Sequence, residues 1–316
     1  MRKRGKLVVL AGVLVVATVG FLLYFRAAQP PEAARLLPEG DFVLYANLKP
    51  LHLFDLNKSG PVQLEGDYQD FIAHTGIRFE RDLDEVAMSR RDTPDHRDVE
   101  SSEVFIGRFD AERLKSYLQK TADGTEQYRN RTIYSISHEG HLVRVSVLDK
   151  TRVAVTNMVS PEPMHGIIDR TYKSAPGPWL LAAHYRDVPV TSLAWLIYRI
   201  PNQPDSVQLP GGFSFTFPPD AVAVGSLRYT GSLLFRGDVI AQSEAQAKQI
   251  VDSANTHLAL VRSIGQVMGA HGPDKDVKAA FDSIQVAQKE NVAVFTATIP
   301  QSVLKKLWSE AQPEKR

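Results

Sequence analysis

The uncharged run Leu7–Phe25, LVVLAGVLVVATVGFLLYF, constrains this chain more than any other feature. It holds 19 residues without a charge or a proline, and Thr18 is its one strongly polar side chain. As a helix it would be roughly 28 Å long, against a bilayer hydrocarbon core of about 30 Å. Residues 7–25 are therefore predicted to form a transmembrane signal-anchor helix. Arg2, Lys3, Arg4 and Lys6 precede it and Arg26 alone follows it. Cationic flanks stay in the cytoplasm, so residues 1–6 are read as a cytoplasmic basic tail and residues 27–316 as extracytoplasmic. A cleaved signal peptide has an apolar core of about 7–15 residues and a small-x-small site. Here the run is longer, and cleavage after Thr18-Val19-Gly20 would leave FLLYF on the mature end. An uncleaved anchor in the cytoplasmic membrane is the expectation. Gly12, Val16 and Gly20 recur on one helical face and form a candidate helix-packing surface for a homodimer.

The rest of the chain has the composition of a folded body. Over the 316 residues, 43% are hydrophobic and 23% charged, which are globular values. Five of the 37 Lys/Arg and none of the 36 Asp/Glu fall in residues 1–26, leaving 32 basic against 36 acidic side chains in the body. That balance, with no basic run, argues against nucleic-acid binding. With no cysteine there is no disulfide, thiol nucleophile, thiolate metal site or acylated lipoprotein anchor. The body must be held by its apolar core, which a chain of this length can build.

Residues 27–38 form a spacer stiffened by Pro30 and Pro31, so the body should sit close to the bilayer. Phe42–Leu48 alternates as a strand, and Tyr68–Thr75 carries a helical stripe that stops at Gly76. Glu85–Arg90 and Glu103–Phe109 read as strands on either side of a polar loop. Asp110 then caps the helix AERLKSYLQK. Thr132–Ser137, His141–Leu148 and Arg152–Thr156 form a meander, followed by a helix over Pro161–Lys173. Ser174–Pro178 is the strongest internal punctuation. Beyond it, WLLAAHYRD and the apolar TSLAWLIYRI are buried elements of unassigned type. A Pro/Gly-rich stretch follows, then a hairpin over Ala221–Tyr229 and Leu233–Gln242 and a long helix opened by Ser243. A short helix, a second hairpin ending in Val292–Ile299 and a helix after Pro300 complete the chain.

The two halves repeat a grammar in which a helix begins at a strand end: VFIGRFDAERLKSYL, VFTATIPQSVLKKLW and LLFRGDVIAQSEAQAKQIV. The predicted fold is α+β, with antiparallel sheets covered by helices on one face. The expected organisation is two similar domains, 39–175 and 178–310, with a polar tail over 311–316.

Leu37-Pro38-Glu39-Gly40-Asp41 leads into the first strand, and Thr75-Gly76-Ile77 runs on to Asp82-Leu83-Asp84-Glu85-Val86. On these two segments, and on the strand-helix grammar of residues 222–308, the chain resembles a group of uncharacterised bacterial membrane-anchored envelope proteins. The resemblance implies an anchored α+β extracytoplasmic body and carries no catalytic residue.

Chemistry-bearing motifs are sparse. His138-Glu139-Gly140-His141 has a spacing of three, where a metalloprotease helix needs two His four apart. On one extended strand positions 138 and 141 would face opposite sides, so a hairpin turn is expected instead of a zinc site. Asp82, Asp84 and Glu85, and Asp95 with Asp98, lack the ligand ladder of a calcium loop and read as solvated charge. Ser160, Ser243 and Ser302 read as helix caps. Phe213, Phe215 and Phe217 alternate within PGGFSFTFPP and form the candidate docking surface. No cofactor is expected. The functional expectation is a single-pass envelope protein whose extracytoplasmic body binds a protein partner or organises an assembly, without recognisable catalysis. The alternative is an extracytoplasmic enzyme or small-ligand receptor whose site is assembled from distant residues.

Overall fold

The computed structural model describes residues 29–53, 66–91, 100–138, 140–173, 177–202, 207–209, 213–215, 217–267 and 275–303. The predicted transmembrane helix with Gly12, Val16 and Gly20, the Asp95/Asp98 pair, and the polar tail lie outside these residues. Among the described residues, no helix is long and apolar enough to cross a membrane.

The fold is α+β, built on one antiparallel sheet of 12 strands. The first half contributes α1 (Glu32–Leu36), β1 (Phe42–Asn47), α2 (Gly66–Thr75), α3 (Phe79–Asp82), β2 (Leu83–Arg91) and β3 (Glu100–Gly107). It continues with α4 (Ala111–Thr121), β4 (Gly124–Tyr128), β5 (Arg131–His138), β6 (His141–Val147), β7 (Arg152–Thr156) and α5 (Glu162–Tyr172). The second half contributes α6 (Trp179–His184), β8 (Ala194–Arg199), β9 (Val207–Leu209), β10 (Phe213–Phe215), β11 (Val222–Tyr229) and β12 (Leu233–Ile240). It ends with α7 (Glu244–Val267), α8 (Lys275–Asp282), β13 (Gln285–Lys289) and β14 (Val292–Ile299). The order across the sheet is β13-β14-β12-β11-β8-β1-β2-β3-β7-β6-β5-β4, while β9 and β10 pair separately.

The two halves meet at the β1–β8 seam, where five residue pairs from Phe42↔Tyr198 to Ala46↔Ala194 join them. Read outward from the seam, the halves follow the same plan. β1-β2-β3 is flanked by β7, the last strand of its meander, and β8-β11-β12 is flanked by β14, the last strand of its hairpin. A helix follows β3 and β12 alike, α4 in one half and α7 in the other.

Helices cover both faces of this sheet, not one as the sequence suggested. Neighbouring residues on a strand point to opposite faces, and here they enter different cores. Ile133, Ala154, Ile197 and Val222 belong to a core with α1, α5 and α6, through Ala33, Leu37, Ile167, Ile168, Leu180 and Leu181. Tyr134 and Val153 pack instead with Leu114 and Leu118 of α4. Tyr198 and Ala223 pack with Ala247, Ile250, Val251 and Ala254 of α7. Strands covered on both sides need apolar residues at every position, which explains the uninterrupted run in TSLAWLIYRI. The first core draws on both halves, with Val43 and Tyr45 beside Trp195 and Ile197.

The two segments that carried the family resemblance have structural duties. Asp41 N–H donates to Arg90 O at 2.9 Å and Arg199 N–H donates to Asp41 O at 2.8 Å, tying β2 and β8 to the entry of β1. The Arg199 guanidinium also pairs with the Asp41 carboxylate. Glu39 Oε2 accepts from Trp179 N–H at 2.9 Å at the start of α6. At the other segment, the Thr75 hydroxyl donates to Phe71 O at 2.7 Å, and Gly76 turns the chain out of α2 with φ +73.

Glu103 on β3 lies opposite Met88 on one side and Val155 on the other. Burial between these apolar neighbours pushes its carboxyl pKa up, against the Ser101 hydroxyl that donates to it at 3.2 Å. A carboxyl whose folded pKa lies above its unfolded value destabilises the fold at pH above the folded value. That penalty vanishes as pH falls through the folded value towards the unfolded one. Glu103→Gln is therefore expected to raise the urea midpoint at pH 7 and to lose that advantage by pH 3. A variant less stable than the parent at pH 7 would contradict the buried-carboxylate account.

Candidate functional site

The 12-stranded sheet ends in two open edges: no described strand pairs with the outer side of β4 or of β13. Both edges are exposed, β4 (GTEQY) along Gly124–Gln127 and β13 (QVAQK) at every position but Val286; α7 packs against β13, and His165 of α5 reaches β4. Its partner is β5, with register Gly124↔Ser135 through Tyr128↔Arg131. The hairpin closes through Arg129 and Asn130, both at positive φ (45 and 61), a two-residue turn whose twist suits the strands. Such a turn makes its flanking residues the hydrogen-bonded pair. Alternation then directs the N–H groups of Thr125 and Gln127 outward.

Side chains clasp this hairpin to the body. His165 of α5 contacts Glu126 Oε1 through Nε2 at 2.7 Å, and its ring stacks on Tyr128 with centroids 4.0 Å apart. The Tyr128 hydroxyl donates to Asp169 Oδ1 at 3.1 Å, and Arg129 pairs with the same carboxylate at 2.6 Å. Tyr172 closes the clasp by donating to Arg129 O at 2.8 Å. The edge strand is thus presented on a rigid mount, with its outward backbone groups free of described partners.

The residues singled out in the sequence are placed as follows. His138 and His141 face each other across the β5–β6 hairpin as direct register partners. The chain reverses between them, as the expected hairpin turn requires, and being directly opposite they share one face of the sheet. No group of three metal-ligating side chains occurs among the described residues.

The three clustered carboxylates are divided among separate partners. Burial alone would raise the Asp82 pKa. It is held below the usual carboxylate range by Arg81 Nε and Nη2, each at 2.7 Å, and by the Arg78 N–H at 2.9 Å. Asp84 lies 3.8 Å from His52 Nδ1 and Glu85 lies 3.3 Å from Lys49 Nζ. Burial, then the Glu85 carboxylate, pushes the Tyr45 phenol up and keeps it protonated.

Ser243 Oγ accepts the Gln246 N–H at 3.3 Å, as a cap does, whereas Ser160 precedes the cap position, which Pro161 holds, and its Oγ accepts the Glu162 N–H at 3.2 Å. Ser302 lies inside the first helical turn after Pro300 rather than at its cap. Phe213 and Phe215 lie on β10, paired with Leu209 and Val207 of β9. Phe217 falls beyond the strand and packs half-buried against the α7 core.

β4 escaped the sequence reading because GTEQY has no apolar alternation. Its signal was the Arg129-Asn130 dipeptide ahead of a clear strand, a weak form of the two-residue hairpin signature.

No family model matches the chain, and no curated protein matches it. The chain is similar to solved structures of TP0453. For crystal form IV the identity is 11% and the TM-score 0.46, covering 89% of this chain and 97% of that one. For crystal form III the identity is 11% and the TM-score 0.48, covering 89% and 99%. For crystal form I the identity is 12% and the TM-score 0.47, covering 88% and 98%.

Proposed function

We propose that this chain is a bacterial single-pass envelope protein, anchored in the cytoplasmic membrane through residues 7–25, whose extracytoplasmic body binds a protein partner by strand addition at β4. The anchor rests on the uncharged run and its basic N-terminal flank. The observation that supports the binding role is the open, rigidly mounted β4 edge. An extended segment can continue a sheet through main-chain hydrogen bonds, and the exposed side chains of the edge strand would select it. Exposed edges invite pairing, and proteins that do not use them usually cover or bulge them. The matching strand order of the two halves supports the further reading that the body arose by duplication, with β4 and β5 as the extra hairpin of the first half.

Proline at an outward N–H removes a donor from the edge without touching the β4–β5 ladder. Full-length chain in mild detergent is expected to retain its partner, and Thr125→Pro to release it with an unchanged melting temperature. Equal retention by both forms, or recovery of the bait alone from wild type, would overturn the reading.

A further inference from the structure

A cleft of about 170 Å³ opens between α1, the C-terminal end of α5 and the start of β7. Its wall includes Glu32, Arg35, Arg152, Arg170, Tyr172 and Lys173. One of the four cations is already neutralised. Arg152 binds Glu32 Oε1 through Nη1 at 2.7 Å and Asp149 Oδ2 through Nε at 2.7 Å, which also occupies the acidic side chain of the wall. Arg35, Arg170 and Lys173 form no ion pair among the described residues, and the Nε of Arg35 is buried without a hydrogen-bond partner. Tyr172 directs its hydroxyl away to Arg129 O.

The carbonyl end of α5 favours cations here, but a helix terminus supplies only about half a negative charge. Glu32 and Asp149 together carry one charge more than Arg152, so with three further cations and the helix end the surplus is roughly one and a half positive charges. The space exceeds the roughly 30 Å³ share of a single water. Two guanidinium forks and one ammonium suit an acceptor with several equivalent oxygens. A phosphate-type oxyanion, at about −1.5 to −2 near neutral pH, matches this surplus more closely than a carboxylate does.

We propose that this cleft binds a phosphate-type oxyanion, as free phosphate or as the terminal group of a phosphomonoester, with Arg35, Arg170 and Lys173 as its ligands. The site is separate from the β4 edge and does not depend on the strand-addition reading.

The test is calorimetric titration of the full chain in mild detergent with inorganic phosphate and, separately, glycerol 3-phosphate, with ionic strength held constant by chloride. Saturable binding of either is expected. Response to both assigns the site to a phosphomonoester group, and response to inorganic phosphate alone assigns it to the free ion. Arg170→Gln combined with Lys173→Gln removes two exposed or half-exposed cations. It is expected to weaken binding at least about tenfold without moving the ligand-free melting temperature. Arg35→Gln should weaken binding independently, and Lys278→Gln, on α8, should leave it unchanged. Absence of saturable heat with both probes, or equal affinity in the double variant, would overturn the proposal.

Discussion

Gly107→Ala is expected to destabilise the fold by at least about 3 kcal/mol, beyond the usual range for adding one methyl group. A Cβ at Gly107 would lie 2.1 Å from the Asp82 carbonyl oxygen and 3.0 Å from the Phe109 ring. The oxygen belongs to the backbone and cannot swing aside. It is held by the Arg108 N–H at 2.8 Å, while Gly107 N–H donates to Thr151 O at 2.9 Å. The β2–β3 register shifts between Leu83 and Glu85 at this point, so the strands cross unusually closely and only hydrogen fits between them. Gly124→Ala is the internal control, because nothing lies within 4 Å of its Cβ position. Its effect should stay within about 0.5 kcal/mol. Urea midpoints of the two variants measure the difference. A loss below about 1 kcal/mol at Gly107 would show that the strands do not approach this closely.

Trp195→Ala is expected to cost about 3–5 kcal/mol and to destabilise both halves together. Trp195 is 4% exposed and sits opposite Tyr45 in the β1–β8 register. Its ring stacks on Tyr45 with centroids 5.5 Å apart and meets Tyr185 edge-on at 5.5 Å. Removal leaves a cavity in the core that both halves share, so unfolding followed by far-UV signal and by tyrosine emission should shift by the same amount. Two separated transitions, with the first unchanged from wild type, would show that the seam does not couple the halves.

The strands that the sequence made legible have one strongly patterned face and close turn signals. Phe42–Leu48 alternates, Asp149-Lys150-Thr151 separates β6 from β7, and Thr230-Gly231-Ser232 separates β11 from β12. Gly231 indeed takes φ +93. Asp110 was readable as a cap from its place ahead of AERLKSYL, and its carboxylate accepts the Arg113 N–H at 3.1 Å. These are local decisions, made within a few residues by backbone preference and side-chain hydrogen bonding. TSLAWLIYRI did not reveal its type, because a strand buried on both faces loses the alternation that marks a strand. The cationic cleft was equally hidden. Arg35, Arg152 and Arg170 are far apart in the chain, and two of them look like ordinary last-turn helix residues.

By itself the sequence determined the uncharged anchor-length segment, the α+β class, the β5–β6, β11–β12 and β13–β14 hairpins and the Asp110 and Ser243 caps, since each depends on neighbours in the chain. The tertiary structure decided that β1 pairs with β8, that helices occupy both faces, and that β4 is left as an edge. Those outcomes follow from pairing between segments up to about 150 residues apart. Many such pairings satisfy the same local pattern, and only the packing of the whole sheet between its helices selects one.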